Sequence, residues 1–353
     1  MPPSPAPPLR PVAIWLMVGA ILIAAMVTIG GITRLTGSGL SITEWNLLMG
    51  TLPPLSEAEW VQLFEKYQAT PQYQQVNSHF GLEQFKGIFW WEYIHRLLGR
   101  ALGLIFIIPF GWFLARGYFD RSLRHRVLLI FGLGAFQGLL GWLMVASGLT
   151  DRPAVSHYRL AAHLLTALVT FSVTLWVALE VINRDRRTVP VPIAIHRQAW
   201  LFAAILMVQI TYGAFVAGLR AGFAFNTFPL MGGRLVPQGL LALAPALSNL
   251  TDNPMTVQFI HRMLAWLLVG FGLWLWYTLR VHNVKGPADR LGLALVLQFT
   301  LGAITILQLP GNPVLWGALH QAGAVLLLAA VVQVLFAVRK VPGPGSAGAG
   351  RPA

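Results

Sequence analysis

An acid, an imidazole and two guanidinium groups stand close together in the stretch WWEYIHRLLGR, residues 90–100. Glu92 lies three residues before His95 and four before Arg96, so in a helix these side chains share one face. Arg100 lies one further turn along, and residues 101–115 carry no charge. Ionisable groups at the mouth of an uncharged helix of membrane length predict a functional site.

The nine histidines differ in their predicted depth in the membrane. Four of them lie 19 to 21 residues before the arginine at the far end of the same apolar stretch, a rise of about 28–32 Å in a helix. These four therefore share one level near the outer edge of the hydrocarbon layer: His95, His163, His261 and His320. Of the others, His125, His196 and His282 are predicted in inner loops, and His79 and His157 on the outer side, where they should be solvated.

A single histidine in an apolar helix is usually a hydrogen-bonded core residue, but four at one depth favour ligation. Imidazole is a common axial ligand of haem iron, and facing helices supply such pairs. The absence of cysteine excludes thiolate metal sites, and the scarcity of membrane carboxylates disfavours zinc or di-iron sites. We therefore predict two bis-histidine haem sites, His95 with His163 and His261 with His320.

An internal repeat relates the two predicted sites, since EYIHRLLGRALGL in one span matches QFIHRMLAWLLVG in another. Arg96 and Arg262 each follow a predicted ligand, and they either bind haem propionates or extend to the lipid headgroups. Arg100, one turn deeper than Arg96, fits the second alternative less well. The repeat differs where Glu92 aligns with Gln258. This difference indicates either proton or cation chemistry in the first unit or simply an ion pair between Glu92 and Arg96.

Composition places these residues in a polytopic membrane protein. The 353 residues are 56% hydrophobic and only 10% charged, whereas soluble domains carry about 25% charged residues. Eight apolar stretches are long enough to cross a bilayer core of about 20 helical residues, at approximately 12–32, 88–115, 125–146, 157–182, 197–219, 258–280, 288–309 and 313–338. The predicted fold is an all-α membrane protein of two tandem four-helix bundles.

The positive charges are distributed unevenly between the connections. Fifteen of the 25 Lys and Arg residues fall in tails and short loops on one side: Arg10, Arg116, Arg121, Arg124, Arg126, Arg184, Arg186, Arg187, Arg197, Arg280, Lys285, Arg290, Arg339, Lys340 and Arg351. By the positive-inside rule this side is cytoplasmic, so both termini are inside and the haem sites face the outer side. The net charge of +13 is thus a topology signal and does not indicate nucleic-acid binding.

The predicted organisation has four parts. Residues 1–11 and 339–353 are disordered tails, 12–187 form the N-terminal half and 188–338 form the C-terminal half. The N-terminal half contains a long outer loop, 33–87, in which SEAEWVQLFEKYQ has the spacing of an amphipathic helix. That helix either covers the site or merely lies on the membrane surface. The proline-rich start is neither a secretory signal nor a transit peptide, which favours a bacterial inner membrane over an organelle.

Several motifs together resemble the haem A synthase family: GGITRLTGSGLS, YQATPQY, FKGIFWWEYIHR, FIHR and ALHQAGA, between about Gly30 and Ala337. The family oxidises the C8 methyl of haem O, through an alcohol, to the formyl group of haem A for cytochrome oxidase. The resemblance implies a haem b held by His261 and His320. It also implies a substrate haem around His95 and His163, with Glu92 essential. Some bacterial members carry a cysteine pair that this chain lacks, so it resembles the cysteine-free proteobacterial and mitochondrial branch.

The expected partners are haem O, membrane lipid and an electron donor, with haem O synthase or oxidase assembly factors as further candidates. Two other functions fit part of the pattern. A dihaem cytochrome b carrying electrons from quinol would use the same histidine pairs, but would not require the Glu92/Gln258 difference. A haem-handling assembly factor without turnover would bind haem and leave its chemistry unchanged.

Overall fold

Ten α-helices make up most of the described chain. The computed structural model describes residues 8–44, 51–149, 153–184 and 190–339, and in these ranges the only β-structure is an isolated bridge between Met231 and Arg234. Eight of the helices are long and apolar enough to cross a membrane: α1 (Arg10–Leu35), α4 (Leu82–Ala115), α5 (Arg121–Leu149), α6 (His157–Ile182), α7 (Ile193–Gly218), α8 (Pro254–Val281), α9 (Lys285–Gln308) and α10 (Pro313–Ala337). The prediction of an all-α, eight-span protein is confirmed.

The helix ends differ from the predicted spans chiefly at α4, which begins six residues before the predicted start at 88. Its 34 residues rise about 50 Å, more than the bilayer core of about 30 Å. The first turns carry an exposed ion pair between Lys86 and Glu83, 2.7 Å apart, as expected of a segment that stands outside the hydrocarbon layer. The apolar pattern detects only the part of this helix that lipid surrounds.

Some predictions fall wholly or partly outside the described residues. These are most of the two disordered tails, residues 45–50 of the outer loop, the turn at 150–152 and the inner loop at 185–189. Where the first predicted tail is described, Arg10 and Pro11 already belong to α1. The division of the chain at residue 187 stays a prediction.

The predicted amphipathic helix of the outer loop is present as α2 (Glu57–Gln68), followed by the short α3 (Pro71–Gln75). A capping box starts α2, with the Ser56 side chain accepting from Glu59 N and the Glu59 side chain accepting from Ser56 N. Its apolar face packs against the outer turns of α4. There the Trp60 ring lies 4.8 Å from Phe89 and the fully buried Tyr67 stacks on Phe85 at 5.2 Å. The helix is therefore held by protein contacts as well as by its affinity for an interface.

Tyr67 also joins this cluster to the rest of the outer loop. Its hydroxyl donates to Gln72 Oε1 at 3.1 Å and accepts from Asn77 Nδ2 at 2.8 Å. Burial raises the pKa of Tyr67 above its usual value, so the hydroxyl stays a neutral donor throughout the physiological pH range.

Four spans form the centre of the molecule. α1 packs against α6 and α10, and α7 packs against the same two helices. α4 packs on α1, α5 on α6, α8 on α7 and α9 on α10, so each outer helix lies on one central helix. The side chain of Gln321 donates to Val27 O at 2.6 Å and joins α10 to α1. The spans of the two halves thus form one continuous core.

The halves differ in how their outer helices meet. α8 packs along α9, whereas α4 and α5, their counterparts in the repeat, come together through the Phe131 ring of α5, which lies 4.9 Å from Phe110. Closer to the outer side, a Cβ added to Gly103, Gly134 or Gly138 would meet no other atom within 4 Å. Leu104 and Leu139 are about half exposed, at 58% and 49%. The N-terminal half therefore has a lateral opening between α4 and α5.

The orientation of the helices remains a prediction that reporter fusions can test. Green fluorescent protein fused after Val338 should fluoresce, because a cytoplasmic C-terminus lets it fold in the cytoplasm. Alkaline phosphatase at the same position should be inactive, but active when fused after Gly233 in the outer segment between α7 and α8. Active phosphatase after Val338 would contradict the assigned topology.

Candidate functional site

Each of the four histidines at the predicted common level lies directly against a glycine of a neighbouring span. A Cβ built on the glycine would come within 2.9–3.1 Å of the imidazole Cε1 in every case: Gly30 with His95, Gly141 with His163, Gly213 with His261, and Gly302 with His320. This separation is shorter than ordinary van der Waals contact. The glycines therefore make room for the rings, and any larger side chain would displace them.

His261 and His320 face each other across the C-terminal half. Their ring centroids are 6.5 Å apart and their planes are nearly perpendicular, at 84°. Two metal–nitrogen bonds of about 2 Å each, with an imidazole at either end, separate ring centres by roughly 6 Å. The pair is therefore spaced to ligate one iron atom from opposite sides.

The remaining donors around these rings fit a porphyrin better than a bare ion. In the described part of the chain no group of three or more His, Cys, Asp or Glu residues could hold a metal. Two imidazoles alone leave the equatorial positions of an iron to a macrocycle, as in bis-histidine haem proteins. Haem thus fits the donor set, although its ligation by these residues stays a prediction.

In the N-terminal half the corresponding histidines are His95 on α4 and His163 on α6. Each lies with its Cε1 against a glycine, as the other two do. All four histidines are half-buried, although they lie inside the bundle. The pairing of His95 with His163 stays a prediction.

Glu92 is almost fully buried, with 2% of its surface exposed, and both its oxygens accept hydrogen bonds. Oε2 accepts from Ser41 Oγ at 2.7 Å and from Ile42 N at 2.8 Å. Oε1 accepts from Nη2 of Arg96 at 2.6 Å and from its Nε at 3.1 Å. The ion pair considered as an alternative from the sequence is therefore present within α4. The hydrogen bonds from Ser41 and Ile42 tie the outer loop to this helix.

Arg96 also holds the outer loop through backbone carbonyls, since its Nη2 and Nη1 each donate at 2.9 Å, to Ile42 O and Glu44 O. The C-terminal half has the same design. Arg262, only 9% exposed, donates to Phe225 O at 2.8 Å and to Thr227 O at 2.7 Å.

At the position of Glu92, Gln258 donates to Phe225 O at 2.9 Å. The structural repeat thus includes the contacts between the spans and the outer segments. Arg100 is half-buried one turn below Arg96, and propionate binding by Arg96, Arg100 and Arg262 stays a prediction.

Three of the five other histidines are placed differently from the prediction. His125 and His196 lie in the first turns of α5 and α7 and not in loops. The side chain of His157 is only 14% exposed, because its ring packs 5.5 Å from Phe215 and its Nε2 lies 3.3 Å from Asp252 Oδ1. Asp252 is distant in sequence, so the apolar pattern could not show this pairing. His79 is exposed, as predicted.

Sequence reasoning also missed the glutamines beside the histidines. Gln137, Gln209 and Gln298 each lie four residues before one of the glycines described above, and each approaches the same imidazole. The signal was present as a recurring pattern, QGLLG, QITYG and QFTLG, at 137–141, 209–213 and 298–302. Because glutamine does not titrate, charge and ligand chemistry alone do not reveal this pattern.

Comparisons with known proteins place this architecture in a family. The family model described as cytochrome oxidase assembly protein (COX15-CtaA) matches residues 13–332. A protein named heme A synthase from Nitrosomonas eutropha is 46% identical over 331 residues, 92% of each chain. One of the same name from Nitrosospira multiformis is 47% identical over 338 residues, 94% of each chain. A third, from Rhodospirillum centenum, is 45% identical over 342 residues, 96% of this chain and 91% of its own.

All three relatives are named heme A synthase, and this name does not support the alternative of a dihaem electron carrier. With its eight membrane-length helices, its two histidine pairs and a match that spans nearly its whole length, this chain belongs to the COX15-CtaA family of cytochrome oxidase assembly proteins.

Proposed function

We propose that the protein is a haem A synthase, which oxidises the C8 methyl of haem O to a formyl group through an alcohol. The observation that carries the proposal is one difference within a repeated framework. Both halves present a histidine pair set against glycines, but only the N-terminal half places a buried carboxylate one turn outward from a histidine. Two electron-carrying haems would not require this difference, whereas it is expected where one half is a substrate site and the other a cofactor site.

The C-terminal half is the cofactor site in this proposal. His261 and His320 would hold a haem b, whose chemistry when bound is the transfer of single electrons to the substrate site. Its closely packed outer helices suit a group that stays in place. The source of these electrons is a separate donor, and haem O synthase and oxidase assembly factors are candidate partners in the same membrane.

The N-terminal half is the substrate site, between His95 and His163. Haem O carries a farnesyl tail that is too apolar to cross water, so it should arrive from lipid. The lateral opening between α4 and α5 lies on the same half and is lined by glycines and exposed leucines. The tail can lie there with little loss of packing, while the propionates remain near the arginines at the outer edge.

Glu92 has two chemically distinct roles open to it, stabilising positive charge at the oxidised methyl or accepting its proton. Both carboxylate oxygens already accept hydrogen bonds from Ser41, Ile42 and Arg96. Accepting a proton would require one of these bonds to break, whereas electrostatic stabilisation would leave them intact. We therefore favour the electrostatic role. The two termini and inner loops would lie in the cytoplasm of a bacterial cell, and both haem sites near the periplasmic side.

Replacing Glu92 by Gln tests this role directly. The amide keeps the size of the side chain but removes its charge, so haem A formation should fall about 100-fold or more. Haem b should be retained, and haem O or the alcohol should accumulate. The measurement is mass spectrometry of haems extracted from cells that supply haem O. Glu83→Gln, the same change at an exposed position of the same helix, should leave haem A formation unchanged.

Ser41→Ala separates chemistry from loop anchoring, because it removes one hydrogen bond to the carboxylate and leaves its charge. Loss of haem A as complete as in Glu92→Gln would assign the effect to the loop contact. Normal haem A formation by the Glu92→Gln variant would contradict the role assigned to Glu92.

The predicted cofactor ligands are tested at the glycine against His320. Gly302→Val adds bulk where even a Cβ would lie 3.0 Å from the imidazole, so His320 must move and the affinity for haem b should fall about 10-fold or more. Haem b per polypeptide, measured as the pyridine haemochrome, reports the change. Gly270→Val on α8 is the matched control, because a Cβ there meets no other atom within 4 Å. Equal haem content in both variants would contradict the assignment of His320.

A further inference from the structure

Three of the four imidazoles have a glutamine beside them, and the fourth does not. The glutamine lies one helical turn before the glycine that contacts the imidazole. It is Gln137 in α5, Gln209 in α7 and Gln298 in α9. In α1 the corresponding stretch is MVTIG, residues 26–30, so Met26 takes the place of the glutamine. Met26 and Gln209 are counterparts in the repeat. The exception thus falls on His95.

Two of the glutamines approach Nδ1, the nitrogen that a histidine bound to iron through Nε2 would leave free. The side-chain amide of Gln137 lies 3.0 Å from His163 Nδ1, and that of Gln298 lies 3.2 Å from His320 Nδ1. For His261 the backbone carbonyl of Gln209 lies 3.2 Å from Nδ1, whereas the side-chain amide of Gln209 lies 3.5 Å from Nε2. Each of these contacts fixes the orientation of an imidazole.

Oε1 of Gln137, Gln209 and Gln298 is buried and, within the described residues, has no hydrogen-bond partner. Gln137 keeps its amide nitrogen towards His163, because this nitrogen also donates to His163 O at 2.9 Å, and it thereby contacts both the backbone and the ring. Rotating the amide of Gln298 by half a turn brings its oxygen to the Nδ1–H of His320. The histidine is then held with its proton on Nδ1 and with Nε2 free to bind iron. An acceptor on the second nitrogen also makes an imidazole a stronger ligand.

His95 lacks this support. Its Nδ1 is buried and has no hydrogen-bond partner among the residues that the structure describes. A thioether is at most a weak acceptor, and the Met26 methyl is directed at Gly99, where an added Cβ would lie 3.3 Å away. Neither the tautomer nor the ligand strength of His95 is therefore set by a neighbour.

We propose that His95 is the exchangeable iron ligand of the N-terminal half and His163 its anchor, with Met26 and Gln137 as the positioning residues that make them so. The proposal rests on the assignment of this half as the substrate site. A substrate haem must leave as product, whereas a cofactor haem must stay. An iron held firmly on one side and weakly on the other can be released without loosening the cofactor site, where both imidazoles are supported.

Exchanging the two positioning residues should have opposite effects on one haem. Met26→Gln gives His95 an amide at the position from which Gln137 and Gln298 contact Nδ1 of their histidines, so release of the N-terminal haem should slow by about 10-fold. Gln137→Met should accelerate it by a similar factor. The protein is purified with both haems from cells that make haem O. It is then mixed with excess apomyoglobin, and the haem remaining on it is identified by chromatography over time. Haem O or haem A reports the N-terminal site and haem b the C-terminal site.

Gln298→Met supplies the reciprocal control, because it should accelerate loss of haem b about 10-fold and leave haem O unchanged. The low-spin electron paramagnetic resonance signal of the N-terminal haem should also change in Met26→Gln, which a purely structural role for Met26 would not produce. Unchanged haem O release in both Met26→Gln and Gln137→Met would overturn the proposal. Purified protein with no haem O or haem A would instead contradict the proposed function, so the two failures are distinguishable.

Discussion

The close approach of four imidazoles to the backbone of neighbouring helices is the contact on which the arrangement of the spans depends. A histidine inside a bilayer needs either a ligand or a hydrogen-bond partner, because lipid offers neither. Here each ring lies with Cε1, the carbon between its two nitrogens, against a glycine of the adjacent helix. The helix that carries a histidine and the helix that carries its glycine must therefore pack as a pair. The eight spans accordingly divide into four such pairs.

The repeat gives the two halves the same framework, and a few substitutions make them different. In both halves an arginine next to a histidine holds the outer segment by its carbonyls, through Arg96 and Arg262. Glu92 replaces Gln258, Met26 replaces Gln209, and the outer helices are packed together in one half and apart in the other. All three differences lie on the N-terminal side. Each of them makes that half better suited to a group that enters, reacts and leaves.

The sequence predicted the number of spans, the four histidines at one level and the helix in the outer loop, because all three depend on local periodicity and on depth. The start of α4 was misplaced because its outer turns lie outside lipid and carry charge. His157 was expected in solvent, but the packing of α6 with α7 brings Phe215 to it, and the outer segment that leads into α8 brings Asp252. Two donors to Glu92, Ser41 Oγ and Ile42 N, come from a loop about 50 residues earlier, and no spacing rule connects them with it. Contacts between distant segments are set by packing, which a single sequence does not show.

The ion pair of Glu92 with Arg96 illustrates how structural and chemical roles combine at one residue. A carboxylate buried without hydrogen-bond or charged partners would destabilise the folded protein, because its lost hydration would not be replaced. Arg96, Ser41 and Ile42 remove that cost and at the same time fix the carboxylate in one orientation. A charge fixed in this way needs no rearrangement when positive charge develops near it, which is the condition for efficient electrostatic stabilisation. The contacts that anchor the loop are thus the same contacts that would make Glu92 effective in the chemistry proposed for it.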